Sequence, residues 1–157
     1  MPSTNLFNVA SADSVRKLIE SWPDAIEQAD ERKGDKYWGY FERKRASFDG
    51  TYAFGVSGVP GKDTTQYLAI TFGDGGAVES VEVLDEAAAL RTAKLAMVAT
   101  LEDWQSIVGG YDIGKAMTYH KLPLAKGGSR DLLRCVYFLH ELIIVLTRVE
   151  TGAAIAA

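Results

Sequence analysis

The sequence predicts an α+β domain: a mostly antiparallel sheet of five short strands with helices packed against it. Apolar residues recur at helical spacing near the start of the chain and again near its end. Between them, from Thr51 to Leu84, the apolar period changes to two, and glycine-rich turns separate the runs. A length of 157 residues favours one domain. That domain is expected over residues 13–150, with flexible segments at 1–12 and 151–157.

The first helical stripe places Val15, Leu18, Ile19 and Trp22 at i, i+3, i+4 and i+7. Asp13 is the expected N-cap, because its carboxylate can accept the unpaired N–H groups of the first turn. The stripe continues through Ile26 and Ala29, but Pro23 should kink or restart the helix near Ile19. Residues 30–36 are charged and contain Gly34, which reads as a solvated turn. Strands follow at Tyr52 to Val56 and Leu68 to Phe72, divided by Gly58-Val59-Pro60-Gly61. Asp74-Gly75 marks a hairpin into a third strand, Val78 to Leu84, where Glu79 and Glu82 suggest partial exposure. An alanine-rich helix, Glu86 to Thr92, leads to a fourth strand, Leu95 to Ala99, completing what reads as an antiparallel meander.

Helical signals then return. Thr100 and Asp103 have capping-box spacing, and the helix carrying Trp104, Ile107 and Val108 should stop at Gly109-Gly110. A short helix is expected from Asp112 to Tyr119, then an edge strand at Leu122-Pro123-Leu124, since proline cannot donate to a ladder. The last helix should start at Ser129 and reach Arg148. At about 100° per residue, Leu132, Cys135, Val136, Leu139, Leu142, Ile143 and Leu146 gather on one side. Arg134, Glu141 and Arg148, seven apart, should keep the other side in water. The β-branched run from Ile143 to Val145 leaves a strand open for the final third.

Composition excludes several function classes. Net charge is −4, from 17 basic and 21 acidic residues, so phosphate backbones feel no general attraction and a nucleic-acid partner is not expected. With Cys135 as the one cysteine, no internal disulfide can form. The start of the chain lacks the pattern of a secretory signal. The most apolar run, Leu142 to Leu146, is far below the ~20 residues of a membrane span. A cytoplasmic location is the resulting expectation.

Several motifs suggest chemistry and fail on inspection. Gly109 to Ala116 approaches a phosphate-binding loop, but Ala116 lacks the hydroxyl that holds magnesium and a helix precedes the glycines. His140-Glu141 begins a zinc-protease pattern, yet Ile144 stands where the second histidine belongs. Cys135 lies in the apolar stripe, about 140° around the helix from His140, and reads as a packed small hydrophobe. Gly73-Asp-Gly-Gly76 joins two strands, so a hairpin explains it. No metal site and no cofactor are expected. Tyr37, Trp38, Tyr40 and Phe41 beside Arg43-Lys44-Arg45 admit two readings. One is an edge strand with its charges in water; the other is an aromatic lip, Tyr37 to Arg45, making transient contact with a membrane.

The stretch from Thr100-Leu-Glu-Asp-Trp104 through Gly110, Asp112-Ile-Gly-Lys-Ala-Met117 and His120-Lys121-Leu122 resembles the sterol carrier protein type 2 family. In that family a strand ending in Ser or Thr meets a helix opened by an acidic residue and an aromatic. A glycine, an acidic turn, an Ala/Met or aromatic pair and a Gly-Lys-Leu strand start follow; here His120 replaces that glycine. Phe48-Asp-Gly-Thr-Tyr-Ala-Phe54 resembles the family's first strand, and the likeness spans about Asp13 to Lys126. It implies a five-stranded sheet with helices on one face and an apolar tunnel between the layers. Carried over by position, Trp104, Ile107, Val108, Ala116 and Met117 would line the tunnel from the helices. Phe54, Leu68, Ile70 and Phe72 are candidate walls on the sheet, joined by Met97, and Leu139 and Ile143 are candidates on the last helix. Each also fits an ordinary core, because any α+β domain packs such residues between its layers.

The implied function is non-catalytic carriage of a hydrophobic small molecule such as a lipid, fatty acyl chain or sterol. The alternative is an enzyme acting on an apolar metabolite in the same space, with Tyr119, His120 and His140, and Glu141 beside them, as acid–base candidates. Nothing in the sequence fixes the oligomeric state.

Overall fold

The computed structural model describes residues 12–20, 39, 43, 49–59, 61 and 63–148, with only the backbone described at 12, 14, 18, 19, 133–138, 145 and 148. The expected Pro23 kink, the chain ends, the Cys135 side chain and all of Tyr37 to Arg45 except Gly39 and Arg43 lie outside the described residues.

The strands are β1 (Gly50–Ser57), β2 (Gln66–Phe72), β3 (Val78–Asp85), β4 (Leu95–Thr100) and β5 (Leu124–Lys126). They form one sheet in the order β3-β2-β1-β4-β5. The helices are α1 (Ala12–Glu20), α2 (Glu86–Thr92), α3 (Leu101–Val108), α4 (Ile113–Thr118) and α5 (Ser129–Arg148).

β1, β2 and β3 form the antiparallel meander the period-two pattern predicts, with Phe54 opposite Leu68 and Ile70 opposite Val81. The fourth strand departs from it. β4 pairs in parallel with β1, Phe54 beside Met97, and only β5 continues antiparallel. β3 and β4 therefore run the same way, so the chain must travel back along the sheet between them, and α2 is that crossover. β5 begins two residues later than expected, at Leu124, but it is the edge strand that Pro123 requires. Pro123 still contributes, because its carbonyl accepts from the N–H of Val98 at 3.0 Å.

A bulge lies in the β2–β3 pairing, where the register shifts between Thr71 and Phe72. Val78 faces Phe72 and Val81 faces Ile70, so an odd spacing in sequence becomes a common face in the sheet. That face carries Tyr52, Phe54, Val56, Leu68, Ile70, Phe72, Leu95 and Met97, and it packs against apolar residues of α1, α3, α4 and α5. The opposite face carries Ala53, Tyr67, Ala69 and Ala96, and Ala89 of α2 packs on it. The expected single helical layer is thus formed by α1, α3, α4 and α5, while α2 takes the other face. Alanines at three neighbouring strands make a shelf flat enough for a short helix to lie close.

Caps fix the helix ends. Thr100 Oγ1 accepts from Asp103 N–H at 3.1 Å, and Asp112 Oδ1 accepts from Lys115 N–H at 2.8 Å. Asp13 is not the cap expected of it: α1 starts at Ala12, so Asp13 lies in the first turn and pairs with Arg16 at 2.6 Å. Ser129 is likewise the first helical residue of α5, not its cap. Instead Asp131 reaches back to the Gly128 N–H at 3.3 Å, the reciprocal half of a capping box. α5 is helical throughout, which closes the strand alternative for its final third.

Candidate ligand-binding site

The apolar layer between the sheet and the four helices is the one place where the sequence-derived candidates meet. Phe54, Leu68, Ile70, Phe72 and Met97 supply the sheet side, with Trp104, Ile107, Ala116, Leu139 and Ile143 facing them, all buried in one continuous cluster. Met117 is half-buried against the same cluster. Val108 is half-buried at the end of α3 and is not part of the cluster.

Period-two alternation brings the sheet residues here, because strand residues two apart share a face. The same phase adds Tyr52, which the sequence reading passed over; its ring meets Phe72 edge-on at 5.9 Å between centroids. On α3, Trp104 enters from the first turn, and its Nε1–H donates to the carbonyl of Gly55 at 2.7 Å. The hydrogen bond satisfies the indole's one polar atom in a buried site and fixes α3 over β1. α1 is tied from the other side, where Arg16 Nη2 donates to the carbonyl of Val78 at 2.7 Å.

The cluster itself is apolar, and among the described residues two polar side chains on α5 are buried as well. Thr147 is buried and donates from Oγ1 to the carbonyl of Ile143 at 2.6 Å. Glu141 is fully buried, which corrects the expectation of a water-facing stripe through Arg134, Glu141 and Arg148. Spacing places residues on a helix face, but it cannot show whether that face is covered. The apolar layer reaches the surface at one point on β3: Val83 pairs with the fully buried Leu68 and is itself 49% exposed.

The acid–base candidates are placed differently. Tyr119 and His120 are exposed in the turn after α4, whereas His140 is half-buried on α5. Among the described residues no three His, Cys, Asp or Glu side chains group as a metal site. Among them, too, no helix is long and apolar enough to cross a membrane.

No protein-family model matches the chain, and no curated protein sequence does. Solved structures do match. A crystal structure of sterol carrier protein 2 aligns at a TM-score of 0.59 and 21% identity, covering 82% of this chain and 95% of its own. The solution structure of a conserved hypothetical protein from Thermus thermophilus, described as a candidate sterol carrier protein, aligns at 0.58 and 23% identity. It covers 86% of this chain and 89% of its own. The chain has the sterol carrier protein 2 fold.

Within the sterol carrier fold, the two short helices end alike. After α3, Tyr111 N–H bonds to the Ser106 carbonyl at 2.9 Å, with Gly110 at φ 111°. After α4, Lys121 N–H bonds to the Ala116 carbonyl at 2.9 Å, with His120 at φ 59°. Both are closures in which the residue past the cap turns left-handed. The sterol carrier pattern has glycine where this chain has His120, and that left-handed backbone explains why glycine suits the position. The Gly109–Ala116 run is accordingly a helix end and a cap, not a phosphate loop.

Proposed function

We propose that this chain binds a hydrophobic small molecule between the sheet and the helices, without catalysing its conversion, and acts as its carrier. The observation that supports this most directly is the shared fold with sterol carrier protein 2 along most of the chain. A continuous apolar layer in which Trp104 already satisfies its own N–H adds support, since it offers burial and little else.

Burying ten methylenes contributes about 8 kcal/mol at ~0.8 kcal/mol each, against association costs of about 4–15 kcal/mol. The net affinity is modest, which suits a carrier that must release its cargo. Val83, where the layer meets solvent, is the proposed rim of the opening.

Ala116→Leu tests the reading. Ala116 is fully buried in α4, on the helix side of the layer. In a filled core the added methylenes cost about 1–3 kcal/mol of stability. In a chamber they take space meant for the guest. The expected result is near-normal urea stability with loss of binding of a fluorescent fatty acid or sterol, alongside native mass spectra showing a co-purified lipid in the wild type. A wild type that binds neither probe and carries no lipid sinks the proposal.

A further inference from the structure

β3 is an edge strand: among the described residues its one strand neighbour is β2. It is 8 residues long, and its register with β2 is regular from Ser80 to Asp85. Proteins commonly guard such an edge with proline, lysine, a bulge or brevity. Val78 to Asp85 contains no proline and no lysine, and the bulge lies at its start. Arg16 also takes that end, donating to the Val78 carbonyl at 2.7 Å while Asp13 pairs with its other terminal nitrogen. Glu79 is committed to the hairpin, where its carboxylate lies over Gly73. The accessible edge is therefore Ser80 to Asp85.

That stretch differs on its two faces. Val81 and Val83 share the face that packs on the helical layer, and Val83 is 49% exposed although Leu68 opposite it is fully buried. Glu82, paired with Ala69, is exposed on the face that carries α2. β2 has no charged residue to neutralise it. Asp85 caps α2 and Glu86 opens that helix, so this end of the edge stays acidic.

We infer that this edge accepts a basic, extended segment of a partner protein as an additional strand. Main-chain hydrogen bonds supply the affinity, and the two faces supply the selection. Successive side chains of a strand point to opposite faces. Apolar residues of the partner therefore meet Val81 and Val83, while the residues between them meet Glu82. The recognised segment alternates apolar and basic residues. A second copy of this chain fits less well, since it brings another Glu82, Asp85 and Glu86 to an edge that already holds those charges. The inference stands on this edge alone and does not depend on the carrier reading.

Fluorescence anisotropy of a labelled peptide alternating lysine and valine, titrated with the full chain, tests it. Saturable binding is expected. The same peptide with glutamate for lysine should not bind, nor should one N-methylated at every backbone amide, which removes its ladder donors. Glu82→Lys should weaken binding about fivefold or more, because a cross-strand attraction becomes a repulsion. Val83→Ser should weaken it severalfold. Glu102→Lys, the same charge change at an exposed position on α3, should leave it nearly unchanged. The altered peptides act on the unmodified chain, so the test does not hang on the folding of any variant. Absence of binding by the lysine peptide, undiminished binding of the N-methylated or glutamate peptide, or equal losses in Glu82→Lys and Glu102→Lys each overturn the inference. Dimerisation of the chain alone that is lost in Val83→Ser, read by sedimentation velocity, would make a second copy the occupant and overturns it too.

Discussion

His120 and Trp104 show how much a single side chain is asked to do. His120 occupies a left-handed position, φ 59°, that closes α4 through the Lys121–Ala116 hydrogen bond. Histidine tolerates this region better than most residues, yet glycine adopts it at no steric cost. His120→Gly should raise stability by up to about 1 kcal/mol, seen as a higher thermal midpoint, with unchanged ligand binding. An acid–base role for His120 would instead appear as lost turnover. Trp104 donates its only polar hydrogen to Gly55 in a buried site. Trp104→Phe keeps an aromatic ring there but leaves that carbonyl without its donor. Urea denaturation should show a loss of about 1–3 kcal/mol.

At the scale of elements, β1 and β2 meet through a glycine that serves both faces. A Cβ on Gly55 would overlap the Tyr67 ring on the α2 side, while the Gly55 carbonyl holds Trp104. Gly55→Ala should cost about 1–3 kcal/mol, and most of that cost should vanish in a Tyr67→Val background. A double-mutant cycle by chemical denaturation gives the coupling. Burial of Tyr67, then the Glu86 carboxylate, push its hydroxyl above the ordinary tyrosine range. The unfolded chain ionises first, so this contribution is complete below about pH 10 and is lost as pH rises toward the folded value. In Tyr67→Phe, stability should fall less steeply across that alkaline window.

Several of these elements were legible because their determinants are local. Thr100 caps α3 where its spacing predicts, α4 lies within the Asp112 to Tyr119 stretch read as a short helix, and α5 spans Ser129 to Arg148 as the apolar stripe requires. The phase of Tyr52, Phe54 and Val56 assigns a face to each strand. What was illegible is set at a distance. The partner of β4 depends on where α2 lies, and alanines at 53, 69 and 96 carry no pattern that announces a helix-bearing face. Glu141 looks water-facing because Arg134 and Arg148 share its spacing, and only the packed structure shows it enclosed. The candidate walls could be named only from resemblance, because apolar periodicity marks a buried face and not what that face encloses.

At the scale of the whole molecule, β1 is paired along both of its edges, with β2 on one side and β4 on the other. Those two partnerships form at different times during synthesis. β2 and β3 follow β1 directly, but Leu95 to Thr100 emerge only after the crossover helix. Until then the strand bearing Tyr52, Phe54 and Val56 offers a row of open backbone donors and acceptors, flat and greasy enough to recruit a neighbouring copy. A chain stopped after Thr92 should therefore self-associate, visible as fast-sedimenting species, whereas one carried through Thr100 should do so far less. The parallel ladder thus also acts as a late seal on the most adhesive edge the nascent chain exposes.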